Sequence, residues 1–334
     1  MLSRIKRTLF RPLALVLACS AAAACNGFIF EDEGDCSVTY RVKFRYDMNM
    51  KYADAFSHEV HAITLYAIDQ DGNIVWKKSE NGAALAAEDY SMVVDVPAGK
   101  YDLLAWCDAD EYKSWNINAD AKTLSELGCS LKTKRADDGT YYTDTRIDDL
   151  YHAWMTDVDF TADEGETVTT MSLTKNTNQF QVILQHLSGS TVDPDRFEFF
   201  ISADNAVMDW SNALVSDESV NYRAWAVSSG TATTKAAGDL NLALAELTTG
   251  RLIQGHSPRL VVRLKSSGAT VLSVPLIDYA LLVKGHYNGS LTDQEYLDRQ
   301  DGYNMIFFLD ESERWIDTYI YINSWKVVLQ DTNL

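Results

Sequence analysis

Val38-Thr39-Tyr40-Arg41-Val42-Lys43-Phe44-Arg45-Tyr46 places an apolar or aromatic residue at every second position, with Thr39, Arg41, Lys43 and Arg45 between them. A strand turns successive side chains to opposite faces. A period of two over nine residues therefore predicts a strand with one face on a core and the other in water. The same grammar recurs along the chain. Ala62–Ile68 turns through Asp69-Gln70-Asp71-Gly72 into Asn73–Lys77, and an Asp-Gly turn between apolar runs signals a hairpin. Tyr90–Val96 and Lys100–Cys107 read as a second pair, joined by the turn residues Pro97-Ala98-Gly99.

Asp108–Asp148 reads as mostly loop, rich in small polar and acidic residues. Thr167–Leu173 is again strand-like, and Thr174-Lys175-Asn176-Thr177-Asn178 interrupts the pattern before Phe180–Leu187. Short strands follow at Phe197–Ile201, Leu240–Leu247, Leu260–Leu264, Thr270–Leu276, Tyr303–Leu309 and Tyr319–Leu329. One helix interrupts them, because Thr292 and Glu295 form a capping box for a helix running to Gln300. The prediction is an all-β protein of two β-sandwiches in tandem, residues 37–174 and 178–334, each of ordinary domain size.

Ahead of the first strand, Arg4, Lys6, Arg7 and Arg11 precede an apolar stretch, Pro12–Ala24, closed by Ala21-Ala22-Ala23-Ala24-Cys25. This is the pattern of a lipoprotein signal peptide, residues 1–24, with Cys25 as the lipid attachment site. The apolar stretch is short of the about 20 residues that span a bilayer as a helix. Cys19, after Val16-Leu17-Ala18, is the competing position. Cleavage there would leave only Leu13–Ala18 as an apolar core, below the usual minimum of about 7 residues. Residues 25–36, with Glu31-Asp32-Glu33-Gly34-Asp35, read as an acidic tether.

The chain carries 48 acids against 29 bases, a net charge of −19. Four of those bases lie in the leader, so 48 acids face 25 bases in the remainder, a net of −23. Nucleic acid is thereby disfavoured as a partner, since its phosphates need Lys and Arg. Cys36, Cys107 and Cys129 allow one disulfide at most, so the core and not a cystine framework must stabilise the fold.

Catalytic and cofactor signals are weak. Gly255-His256-Ser257-Pro258 lacks the second glycine of a nucleophile elbow and reads as a surface turn. Asp69-Gln70-Asp71-Gly72 has two oxygen ligands of a calcium loop but no later acidic one, and His58 and His61 have no Cys or further His nearby. With no phosphate cradle either, no catalytic residue, metal or cofactor is assigned. Eight Trp and seventeen Tyr could supply sugar-stacking platforms. Trp115, Trp154, Trp210 and Trp225 fall in loop-like segments and are the candidates, whereas Trp106 and Trp325 read as strand residues.

Tyr46-Asp47-Met48-Asn49-Met50 running into Ala53-Asp54-Ala55-Phe56, Leu65-Tyr66-Ala67-Ile68-Asp69 with Asp71-Gly72, Pro97–Trp106, and Glu295–Asp301 through Asn323-Ser324-Trp325 form a distributed pattern. Together they resemble the FimB and minor-fimbria anchor subunits of Bacteroidales. The resemblance implies a non-enzymatic outer-membrane lipoprotein, exposed at the cell surface, of two transthyretin-like β-sandwiches that holds fimbrial stalk subunits. Such fimbriae grow by donor-strand exchange, in which a C-terminal strand fills a groove opened by cutting away an N-terminal strand. A lipid-anchored member keeps that strand, here Val38–Tyr46, and so terminates assembly. Tyr319–Leu329 is then either a donor surface or the completion of its own sandwich. The rival reading is a surface glycan-binding lipoprotein of a polysaccharide-uptake system.

Overall fold

The computed structural model describes residues 38–108, 113–215, 218–234 and 238–329. The lipid-site candidates Cys25 and Cys19, and Cys36, lie outside the described residues. The protein is all-β, with sandwich-like packing of its sheets.

β1 (Val38–Arg45) follows the predicted alternation, with Tyr40, Val42 and Phe44 buried and the residues between them partly or fully exposed. It is joined in the first half by β2 (Ala62–Ile68), β3 (Ile74–Asn81), β4 (Ser91–Val94) and β5 (Gly99–Asp108). β2 and β3 form the predicted hairpin. Its turn is held by Asp69 Oδ1, which accepts from the backbone N–H groups of Asp71 and Asn73 at 3.0 and 2.8 Å. These bonds lower the Asp69 pKa by favouring the charged carboxylate.

β4 and β5 do not pair with each other as the sequence suggests. β4 pairs with β1, whereas β5 pairs with β2 and with β10 (Leu150–Phe160). Pro97-Ala98-Gly99 therefore carries the chain from one sheet to the other. The turn residues themselves are alike in both arrangements, so local sequence could not separate them.

The segment predicted to be loop instead contains β6 (Trp115–Ile117), β7 (Cys129–Leu131), β8 (Lys134–Arg135) and β9 (Tyr141–Thr143). β10, β11 (Gly165–Ser172) and β12 (Thr174–Lys175) complete the first half. The second half holds β13 (Thr177–His186), β14 (Phe197–Ala203), β15 (Val207–Met208), β16 (Val220–Arg223), β17 (Ala226–Thr234) and β18 (Gly238–Gly250). It continues with β19 (Arg259–Leu264), β20 (Thr270–Pro275), β21 (Gly302–Leu309), β22 (Tyr319–Ile322) and β23 (Trp325–Val328).

Two sheets, β11-β1-β4 and β12-β10-β5-β2-β3, enclose the first core, in which Tyr40, Val42 and Phe44 meet Leu65, Leu103, Ala105 and Tyr151. Two six-stranded sheets, β17-β18-β13-β21-β22-β23 and β20-β19-β14-β16-β9-β8, enclose the second, including Val182, Phe199, Val262 and Phe307. The five-stranded sheet is buried on both faces. Leu103 and Ala105 of β5 point into the first core, whereas Leu104 and Trp106 join the second. This explains the unbroken apolar run in β5, beside the strict alternation of β1, whose far face meets water.

The short strands of 113–143 pack on the second face of the five-stranded sheet, where Trp106 donates to Leu127 O at 3.2 Å, and tie it to the second half. β7 pairs with β15, and β9 lies parallel to β16. Thr292 caps the predicted helix, now Asp293–Arg299, by accepting from the Glu295 N–H at 3.1 Å. A second helix, Leu276–Leu281, begins where the sequence suggests the end of a strand, and buries Leu276, Ile277, Tyr279 and Ala280.

Candidate functional site

β1 occupies the centre of its three-stranded sheet, parallel to β11 from Val38↔Gly165 to Arg45↔Ser172 and antiparallel to β4. β11 and β4 therefore pair through β1 and not with each other. Removing it would open a slot about two strand spacings wide, roughly 10 Å. The buried face of β1 is aromatic. Tyr40 stacks on Phe160 at 4.7 Å and Phe44 on Phe56 at 5.7 Å, and Tyr46 just beyond meets Tyr151 edge-on at 5.0 Å. The Tyr40 hydroxyl donates to Ala162 O at 2.8 Å. On the outer face Arg41 pairs with Glu166 at 3.3 Å, and Arg45 lies 3.4 Å from Asp47 and 3.8 Å from Asp54. Arg41 is thus held in a strand bonded on both sides, whereas Arg45 is laddered to β11 alone.

Where the sequence reads as a break, Thr174–Asn178, the chain is buried and polar. The Lys175 side chain is only 4% exposed, and its Nζ lies 2.9 Å from Asp301, 3.1 Å from Asp149 and 3.5 Å from Glu59. Burial works against the Lys175 charge, but Asp301 and Asp149 outweigh it and hold the ammonium above the ordinary lysine value. Glu59 also accepts from the Tyr151 hydroxyl at 3.2 Å, and Thr177 Oγ1 donates to Asp149 at 3.0 Å. The acids come from three separate stretches of chain. Glu59 follows β1, Asp149 precedes β10 and Asp301 precedes β21, so Lys175 bonds the first half to the second.

Three further contacts reinforce this lock. Asn176 and Asn212 exchange amide hydrogen bonds of 2.7 and 3.0 Å. Arg299, on the capped helix, donates to the carbonyls of Asp47 and Asn49 at 3.0 and 3.3 Å, pinning the chain just after β1. His152, buried on β10, donates through Nε2–H to Trp210 O at 2.8 Å, the assignment fixed by the carbonyl acceptor. Burial pulls its pKa down from 6.5 to about 4.

The sequence-nominated tryptophans do not converge. Trp115 is buried in the second core and its indole N–H donates to Asp148 O at 3.0 Å. Trp154 and Trp210 come together edge-on at 4.9 Å, both half-buried. Trp225 stands apart, lining a cleft of about 340 Å³ with Arg146, Gln181 and Asn304. A neighbouring cleft of about 370 Å³ contains Lys175, Asp149, Asp301, His58 and His61. Cys107 and Cys129 are buried in different cores. Local pattern does not express the roles of Lys175, Asp301 and Arg299, because key partners lie far along the chain: Glu59 and Asp301 are 116 and 126 residues from Lys175, and Asp47 is 252 from Arg299. The one available signal was a lysine in a polar run that precedes a strand without any proline or glycine.

The tail predicted as one strand, Tyr319–Leu329, is a hairpin of β22 and β23. Asn323 and Ser324 at its tip have φ of 48° and 72°, the left-handed region that two-residue hairpin turns require. β22 pairs with β21 and buries Ile320 and Ile322, while β23 forms the sheet edge.

The sequence matches the family described as fimbrillin-A associated anchor proteins Mfa1 and Mfa2 over residues 32–331. Among solved structures, a proposed adhesin of Bacteroides thetaiotaomicron is 32% identical with a TM-score of 0.76, covering 86% of this chain and 97% of that one. A proposed polysaccharide-binding protein of the same organism is 31% identical with a TM-score of 0.77, covering 89% and 100%. The fimbrial anchor protein Mfa2 of Porphyromonas gingivalis, 17% identical, shares the fold with a TM-score of 0.62 over 87% and 99%. No curated protein matches the sequence.

Proposed function

The chain belongs to the family of fimbrillin-A associated anchor proteins, and on that premise we propose that it is the lipid-anchored, assembly-terminating subunit of a fimbrium at the outer membrane. The observation that carries this reading is β1. A subunit extended by donor-strand exchange must vacate a strand position, and here that position is filled from within by a strand bonded on both sides. Arg41 within it is ion-paired and laddered on both sides, and Arg45 is ion-paired and laddered to β11, which supports retention and not cleavage.

Membrane attachment in this reading is by lipid on Cys25, after removal of residues 1–24. No described helix is long and apolar enough to cross a membrane. Twelve residues separate Cys25 from Val38, a reach of at most about 40 Å if extended, so the body would stand close to the membrane. Residues 37–174 and 178–334 then form two sandwich units joined by the Lys175 lock, and the body holds stalk subunits without catalysis. Carbohydrate recognition is a second reading, favoured by the cleft at Trp225.

Extraction of outer membranes in mild detergent, followed by capture of the native chain, tests the anchor role. A polymeric fimbrial subunit should co-purify with it, and Cys25→Ala should release both into the medium while Cys19→Ala should not. Capture without any polymeric subunit overturns the fimbrial assignment. Full retention of both by the membrane in Cys25→Ala overturns the lipid site.

A further inference from the structure

The outer face of the β18-β13-β21 part of its sheet is polar at one end. Glu246, Gln181 and Asn304 stand side by side in register, and Gln179 occupies the next outward position on β13. The three aligned residues span two strand spacings, about 10 Å, the breadth of a disaccharide. Trp225 borders this row, its backbone N–H donating to Glu246 O at 3.0 Å, and the Arg146 guanidinium lies 5.8 Å from its ring centre. Together they line a cleft of about 340 Å³.

Three features of this cleft are poorly explained by packing. Among the described residues, the side-chain amides of Gln179, Gln181 and Asn304 have no hydrogen-bond partner, and Arg146 and Glu246 form no ion pair. The indole N–H of Trp225 is buried with no acceptor, whereas the core indoles of Trp106 and Trp115 donate to Leu127 O and Asp148 O. Trp315 shares that orphaned state, but its ring packs edge-on against Phe307 in the second core, 5.8 Å away.

We propose that this cleft is a carbohydrate-binding site for a neutral pyranoside. The half-buried Trp225 ring offers an apolar face to the C–H side of a sugar, and the planar amides offer a donor and an acceptor each, matching vicinal hydroxyls. Arg146 and Glu246 balance one another, and the chain is strongly acidic, so a neutral sugar is favoured over a uronic acid. This site is separate from the β1 position and does not depend on the anchor reading.

The test presents the full chain in detergent micelles to an array of glucose, galactose and mannose oligosaccharides, with galacturonic acid oligomers as the acidic arm. Binding to a neutral oligosaccharide is expected. Trp225→Ala and Gln181→Ala should each weaken it about tenfold or more, while Trp154→Ala leaves it unchanged. Unaltered melting temperatures of the variants confirm that the fold is intact, and Gln181→Glu provides a second variant of nearly the same shape should Trp225→Ala unfold. No binding to any neutral oligosaccharide, binding to the acidic oligomers alone, or binding undiminished in folded Trp225→Ala or Gln181→Ala overturns the proposal.

Discussion

β1 and β23 are the first and last strands of the described chain, and they occupy opposite kinds of position. β1 is hydrogen-bonded along both edges and buries Tyr40, Val42 and Phe44. β23 is bonded along one edge, with Trp325 and Val328 exposed to 42% and 47%. The first completes a core, whereas the second is added to one that β22 has already closed. A strand that completes a core is costly to lose and therefore suits a closed, terminal position. An edge strand with exposed apolar residues leaves main-chain groups available for pairing.

Loss of β1 should have the largest effect. A chain starting at Asp47 lacks four buried side chains, each contributing roughly 1.5–3 kcal/mol, a sum on the order of 10 kcal/mol that rivals the stability of a whole domain. The first core should fail to form, seen as lost amide-exchange protection in β2, β5 and β10. A peptide of residues 38–46 supplied in trans should restore that protection. Full protection without β1 would break the comparison.

The lock comes next, because it fastens the chain beyond β1 to the second half. Lys175→Met leaves Asp149, Asp301 and Glu59 together without their cation and should destabilise by about 3–5 kcal/mol in denaturant titration. Adding Asp301→Asn to Lys175→Met should recover part of that loss. If Lys175→Met unfolds in two separated transitions, the halves depend on this bond for their cooperativity.

His152 sits on β10, in the wall shared by both cores. The unfolded chain takes up a proton as pH falls through 6.5, but the folded chain does so only near pH 4, so stability falls across that window. The contribution is roughly 3 kcal/mol, present above pH 6.5 and lost by pH 4. His152→Gln should flatten that part of a stability-against-pH curve, and an unchanged slope would refute the assignment.

The smallest effect belongs to β23. Val328→Lys places a charge on an exposed edge position and should change stability by less than about 0.5 kcal/mol. A loss above about 2 kcal/mol would show that β23 is as structural as β1, and would remove the contrast between the two ends.

Much of this was legible locally. The alternation of β1 gave its buried face correctly, and the Asp69–Gly72 hairpin and the Thr292 cap are set by residues within five positions of one another. The pairing of β4 is not set locally, because a Pro-Ala-Gly turn is equally suited to a hairpin and to a crossing between sheets. Asp108–Asp148 reads as mostly loop because its strands of two or three residues are too short to display a period, and two of them, β7 and β9, pair with strands of the second half. Among the candidate site residues, Trp225 lines a cleft with polar side chains, whereas Trp115 packs into the core.

The all-β class, the residue-by-residue burial of β1 and the acidic net charge follow from the amino-acid order alone, since each depends on side-chain type and on spacing along the chain. Tertiary structure alone decided that β1 is central and not an edge, that the five-stranded sheet is buried on both faces, and that Lys175 meets carboxylates from three distant segments. Those facts are pairings across tens to hundreds of residues. A single chain encodes them only through the joint packing of all its strands, which local pattern does not express.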